Sequence, residues 1–194
     1  MDLQPTDPHT IFEAWYGDAV SHEPRVPNAM QLCTVDARGR PSCRTVLLKG
    51  FDVQGLVFYT NHTSRKATQF AQQREVALLF HWKSLERQVH VEGRVEPVSS
   101  EVSDAYFATR DRGSQLGAWA SRQSATRDKG QLEKAVEEMT RRFAGGPVPR
   151  PEFWGGYRVV PARWEFWQGK PDRLHERRVF ERLNGEWTAC RLDP

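Results

Sequence analysis

Residues 166–178, FWQGKPDRLHERR, crowd Trp167, Arg173, His175, Arg177 and Arg178 into thirteen positions. A guanidinium offers a planar hydrogen-bond fork and an indole offers a flat apolar face, a pairing that suits a planar anionic ligand. The mixture recurs along the chain. RTVLLK (44–49), FYTNHTSRK (58–66), ERQVHVEG (86–93) and YFATRDRGSQLGAW (106–119) again set Arg or Lys among small hydroxyls, amides and rings. Together these blocks point to a binder of phosphorylated, aromatic small molecules.

Each block implies a particular geometry. Arg65 and Lys66 fall in the opening turn of an expected helix, where cations oppose the macrodipole unless an anion sits at the free N–H groups. Thr63 and Ser64 add hydroxyls, so the four residues read either as a solvated surface pair or as a phosphate cradle. Arg44 and Lys49 are five apart, which puts them on opposite faces of a regular strand and at different tasks. Tyr106, Arg110 and Ser114 step by four; the first two share a helix face, and a turn at Asp111–Gly113 can fold the Ser114 hydroxyl back toward them. Gln88 carries both a donor and an acceptor for the edge of a flat heterocycle. Gln123-Ser124 adds a further amide and hydroxyl. Arg173, His175 and Arg177 alternate on what reads as an extended segment, all on one side, with His175 as a hydrogen-bonding group or an acid–base group.

Other chemistries lose their usual support. No GxGxxG, P-loop or GxSxG is present. The six histidines and three cysteines lack metal spacing, and the cysteines (33, 43, 190) fit a reducing, cytoplasmic setting. A net charge of +3 is too small for a nucleic-acid surface. There is no signal-like start and no long apolar run, so neither secretion nor a membrane span is expected.

The elements that must carry these residues alternate hairpins with short helices. Helices are expected at 9–16, 63–73 (with Ala67, Phe70 and Ala71 on one face), 100–109 and 128–144. Strands are expected at 30–36, 42–49, 56–61, 75–82, 87–98, 157–160, 163–167, 179–183 and 187–192. Gly39 and Asn184-Gly185 supply hairpin turns. Strands joined by local hairpins, with only short helices and no regular strand–helix alternation, imply a mainly β fold, an antiparallel barrel with peripheral helices, built as one domain over 1–194.

Taken together, RTVLLK, FYTNHTSRK, ERQVHVEG, SQLGAWAS, RQS, FWGG, EFWQG and RLHER resemble the pyridoxamine/pyridoxine 5′-phosphate oxidases, over roughly Asp7 to Pro194. That resemblance implies an FMN-binding split β-barrel, a homodimer with FMN between subunits, and a C-terminal strand region (157–194) that contributes to the active site. It implies FMN contacts from Arg44, Thr45, Val46, Leu47, Leu48 and Lys49. Further FMN contacts would come from Tyr59, Thr60, Arg65 and Lys66, and from Gln88, Gln123, Ser124, Trp167 and Arg177. Substrate would be held by Lys49, Tyr106, Arg110 and Ser114 at its phosphate, and by Arg173, Leu174 and His175 near the reacting carbon. Arg173 and His175 would be the catalytic pair, acting by position and charge. The reaction implied is hydride transfer from the C4′ of pyridoxamine or pyridoxine 5′-phosphate to flavin N5. Reoxidation by O₂ would yield hydrogen peroxide, and ammonia where the substrate is the amine. Two other readings stay open at this point: a split-barrel flavin oxidase for another aromatic substrate, such as the phenazine-biosynthesis type, and a non-catalytic flavin binder. Met1–Pro8 carries no Arg or Tyr, so a basic N-terminal segment that closes over the substrate in many relatives is expected to be missing or built differently.

Overall fold

The computed structural model describes residues 7–194, so the expectation about the N-terminal closing segment lies almost wholly outside the described residues. Helix α1 (Pro8–His22) starts where the Asp7 carboxylate accepts the His9 and Thr10 N–H groups. It runs well past residue 16 because Ala19, two turns beyond Phe12, continues the buried stripe.

Among the described residues, nine strands form one antiparallel sheet. They are β1 (Ala29–Val35), β2 (Pro41–Leu47), β3 (Gly50–Asp52), β4 (Gly55–Asn61), β5 (Glu75–Trp82), β6 (Arg87–Pro97), β7 (Trp154–Gln168), β8 (Glu176–Leu183) and β9 (Glu186–Leu192). The order is β2-β1-β5-β6-β7-β4-β3, with β8 and β9 continuing from β7. The two strands expected at 157–160 and 163–167 are one fifteen-residue strand. Pro161 sits at a bulge opposite Gly93, where a missing N–H is tolerated. Gly93 is needed there, since a Cβ would lie 2.2 Å from the Val160 carbonyl oxygen.

Strand β7 organises the molecule. It pairs with β6 along most of its length, with β4 beside its first half and with β8 beside its second. At the sheet's other end, Leu48 and Lys49 connect β2 to β3, and the Lys49 N–H donates to the Val57 carbonyl at 2.8 Å. The sheet therefore curls toward closure. Phe12 of α1 plugs it, with ring centroids 5.0 Å from Phe51, 5.2 Å from Phe80 and 5.3 Å from Trp164.

A smaller core lies outside the barrel. Helices α3 (Ser100–Ala108), α4 (Arg112–Ala120) and α5 (Gln131–Arg142) gather around buried Phe107, Leu116, Val148 and Trp154. Helix α4 corrects the expected turn around Ser114. Gly113 and Gly117 weaken the local helical signal, but Asp111 caps the helix by accepting the Ser114 N–H at 2.8 Å. Helix α2 (Arg65–Gln72) begins at Ser64 as expected, although its buried face uses Lys66, Ala67, Gln69 and Phe70, and leaves Ala71 exposed.

Candidate functional site

A cleft of about 1100 Å³ opens between β2, the end of β4, the start of α2 and the α3–α4 corner. Its floor is set by Lys66, only 7% exposed. The ammonium donates to Thr60 Oγ1 at 3.0 Å and to Ser64 Oγ at 3.3 Å. No carboxylate among the described residues forms an ion pair with it. Burial, reinforced by the nearby Arg44 charge, lowers its pKa to about 8. A buried ammonium satisfied only by hydroxyls is costly by itself and fits an anionic ligand.

The surroundings are fixed. Arg44 Nη1 donates to the Leu32 carbonyl at 2.8 Å and to Thr34 Oγ1 at 2.7 Å, and Nη2 donates to Gln69 Oε1 at 3.2 Å. The Gln69 amide in turn donates to Ser42 Oγ at 3.2 Å. Across the opening of α2, the Arg65 N–H donates to Ser124 Oγ at 3.1 Å, and Thr60 Oγ1 donates to Gln123 Oε1 at 3.0 Å. The first turn of α2 contains no acidic residue to offset Arg65 and Lys66.

The far wall is aromatic. Tyr59 stacks on Tyr106 at 3.9 Å and on Trp154 at 5.4 Å, with ring planes within about 15° of parallel. Arg110 lies 4.7 Å above the Trp154 ring, and its Nη1 is buried without a hydrogen-bond partner. An unused guanidinium nitrogen beside a cleft is a second anchor for an acceptor-rich group. Lys49 Nζ stands 6.0 Å from the Tyr106 ring. Ser114 Oγ is held by Asp111 at 2.7 Å, so it must leave that partner to donate into the cleft.

The sequence-predicted residues thus divide into two sets. Arg44 to Leu47, Lys49, Tyr59, Thr60, Arg65 and Lys66 line this one cleft, as do Tyr106, Arg110, Ser114, Gln123 and Ser124. Arg44 and Lys49 reach it together, contrary to the opposite-face expectation, because the regular strand ends at Leu47. Leu48 is buried in the barrel core and does not line the cleft.

The other set lies elsewhere. Gln88, Trp167 and Arg177 are directly opposed across β6, β7 and β8, so they form one row on one sheet face. The His175 ring lies 4.6 Å from Trp167. Arg177 is locked by Glu165 Oε1 at 2.8 Å and by the Asp193 carbonyl at 2.9 Å. Burial would raise the Glu165 pKa, but hydrogen bonds from Arg163 and Arg177 overcome this and hold it below the usual range. Arg173 corrects the expected alternation. Asp172 and Arg173 have φ of 57° and 60° in a tight 3-10 turn, so only residues from Glu176 onward are strand. Leu174, 71% exposed, and His175 border a second cavity of about 630 Å³ against α1.

Sequence reasoning missed the Thr34–Gln69–Ser42 clamp on Arg44 and the Trp154 platform. Spacing offered a signal for Gln69, which stands three residues after Lys66 and beside Phe70 on the buried face of α2. Trp154 was visible only as part of FWGG.

A curled antiparallel sheet with a cationic, aromatic-walled cleft beside a helix start defines a split-barrel protein. Residues 18–142 match the family model described as pyridoxamine 5′-phosphate oxidase, and residues 154–194 match the pyridoxine 5′-phosphate oxidase C-terminal dimerisation region. The pyridoxine/pyridoxamine 5′-phosphate oxidase of Rubrobacter xylanophilus is 55% identical, covering 97% of this chain and 87% of the relative. That of Caulobacter vibrioides is 53% identical, covering 99% and 87%. Among solved structures, PhzG from Burkholderia lata, in complex with tetrahydrophenazine-1-carboxylic acid, superposes with a TM-score of 0.94 at 30% identity, covering 100% of this chain and 95% of that one. A pyridoxamine 5′-phosphate oxidase-related, FMN binding protein from Nostoc punctiforme shares the fold, with a TM-score of 0.77 at 20% identity over 100% and 99% of the two chains. The chain belongs to the pyridoxamine 5′-phosphate oxidase family.

Proposed function

We propose that this protein is an FMN-dependent oxidase that converts pyridoxamine 5′-phosphate and pyridoxine 5′-phosphate to pyridoxal 5′-phosphate. O₂ is the electron acceptor; hydrogen peroxide is released, with ammonia from the amine substrate. The observation that carries this reading is the presence of two separate cation groups in one cleft. Lys66, Arg44 and the start of α2 form one, and Arg110 with Lys49 forms the other. Two groups match two phosphates, one on a flavin nucleotide and one on a substrate.

The Lys66 ammonium, without a carboxylate partner among the described residues, and the start of α2 fit the FMN phosphate, with Arg44, Arg65, Thr60, Gln123 and Ser124 around it. When bound, FMN supplies a two-electron acceptor for the hydride leaving substrate C4′ and a route for those electrons to O₂. The chain's own residues position. Arg110, held 4.7 Å over the Trp154 ring, would offer its unpaired Nη1 to the substrate phosphate, and Lys49, Tyr106 and Ser114 would complete the grip.

Arg173, Leu174 and His175 do not line this cleft. We assign their role, with that of Gln88, Trp167 and Arg177, to the cleft of a second copy, so that a homodimer builds each site from two chains. The match to a dimerisation region over 154–194 supports this, because five of the six residues lie inside it. Residues 1–194 then act as one split-barrel unit whose last strands serve the neighbouring site. The three free cysteines support a reducing, cytoplasmic setting, and no helix of the described residues is long and apolar enough to cross a membrane.

The likeness to PhzG keeps a second substrate class in view. Aerobic assays with pyridoxine 5′-phosphate, measuring pyridoxal 5′-phosphate and peroxide together, separate the two. Equimolar formation of both supports the proposed function. Flavin-loaded protein that oxidises tetrahydrophenazine-1-carboxylic acid but not the pyridoxine ester overturns it.

A further inference from the structure

The two flavin and substrate anion sites leave one reactive pair unexplained. Cys33 of β1 and Cys43 of β2 are direct partners in the antiparallel register, and their sulfurs are 3.4 Å apart with both thiols free. Cys43 lies on the wall of the cleft, next to Arg44. A thiol on the rim of a ligand cleft with a second thiol in sulfur contact is a dithiol placed for cross-linking. We propose that Cys33 and Cys43 form a reversible two-electron oxidation site for hydroperoxides.

The chemistry balances with one peroxide. The Cys43 thiolate attacks a peroxide oxygen and breaks the O–O bond, leaving a sulfenic acid on Cys43 and releasing water once a proton is taken up. The Cys33 sulfur then attacks the Cys43 sulfur, forming the S–S bond and expelling the second water. Two thiols and H₂O₂ become one disulfide and two waters. Hydrogen peroxide is the oxidant, and on the function proposed above it is released in the adjoining cleft.

The order of attack follows from the environment. Cys43 is exposed, whereas Cys33 is half-buried and donates its S–H to the Cys43 sulfur. Burial, followed by that hydrogen bond, raises the Cys33 pKa. Cys33 therefore stays protonated longer and acts second. Direct cross-strand neighbours hold their Cβ atoms about 4.5–5.5 Å apart, at or beyond the roughly 4.5 Å limit of a relaxed disulfide, so the strands must draw together to close it, which favours a strained and easily reduced bond. Cys190, on the edge strand β9, has no thiol partner among the described residues and is removed so that only the cross-strand pair is titrated.

The test uses the full-length, FMN-loaded protein carrying Cys190→Ser, exposed to hydrogen peroxide without substrate. The expected result is loss of both remaining titratable thiols with a mass loss of two hydrogens. A Cys33–Cys43 linked peptide should be found, and dithiothreitol should restore both thiols. With Cys33→Ser added, Cys43 should instead gain oxygen atoms and form no intramolecular link. Two thiols that remain titratable in the Cys190→Ser protein, or Cys43 oxygen adducts there without a cross-link, overturn the proposal. Because no turnover is needed, this outcome does not depend on whether pyridoxine 5′-phosphate is the substrate.

Discussion

Lys66 Nζ lies 3.0 Å from Thr60 Oγ1, inside the protein, with a hydroxyl where a carboxylate would normally stand. Replacing this ammonium by Met should raise the stability of the flavin-free protein by on the order of 1 kcal/mol while weakening FMN retention roughly hundredfold. Thermal melts of apoprotein and flavin titration read the two effects separately. Arg173→Leu should behave in the opposite way, with turnover falling more than flavin retention.

The same residue sets a pH dependence. Its pKa is about 8 in the folded apoprotein against 10.5 for an ordinary lysine, so the unfolded chain binds the extra proton between those values. Stability of the apoprotein should therefore rise with pH from about 8 to 10.5, by up to roughly 3 kcal/mol from this group. Chemical denaturation of wild type and Lys66→Met across that range checks it: the wild type should gain stability relative to the variant as pH increases.

Gln69 reaches the cleft only through Arg44 and Ser42. Gln69→Leu leaves a similar volume but removes one acceptor of Arg44 and the acceptor of Thr34. FMN should bind about tenfold more weakly, in line with loss of a hydrogen bond to a charged group. Gln69→Glu should recover part of the positioning but neutralise Arg44, so flavin affinity should stay below wild type. Unchanged flavin affinity in both variants would remove Gln69 from the account.

Most of the barrel was legible because its strands alternate and its turns carry their own chemistry. Glu75–Trp82 and the Asn184-Gly185 hairpin came straight from pattern. Helix α4 was hidden by two glycines, and β3 by its three-residue length. The cleft residues were recognisable as types, but their division into two pockets was not. That division depends on β7 turning from β4 to β8 halfway along its length, a tertiary fact with no local signal.

This division makes a sharp prediction for dimers. Co-expressed chains carrying Lys66→Met in one and Arg173→Leu in the other should give mixed dimers with one intact site each. With random pairing, activity should return to about a quarter of wild type although each variant alone is impaired. Activity no higher than the mean of the two variants would place both clusters at sites within one chain.

The most direct measurement of the central claim is the visible spectrum of the FMN-loaded protein without oxygen, before and after pyridoxine 5′-phosphate is added. The flavin band should bleach, and air should restore it with one pyridoxal 5′-phosphate formed per flavin reduced. A band that keeps its full height with substrate bound would contradict the oxidase assignment, leaving a flavin-binding split barrel whose cleft serves another molecule.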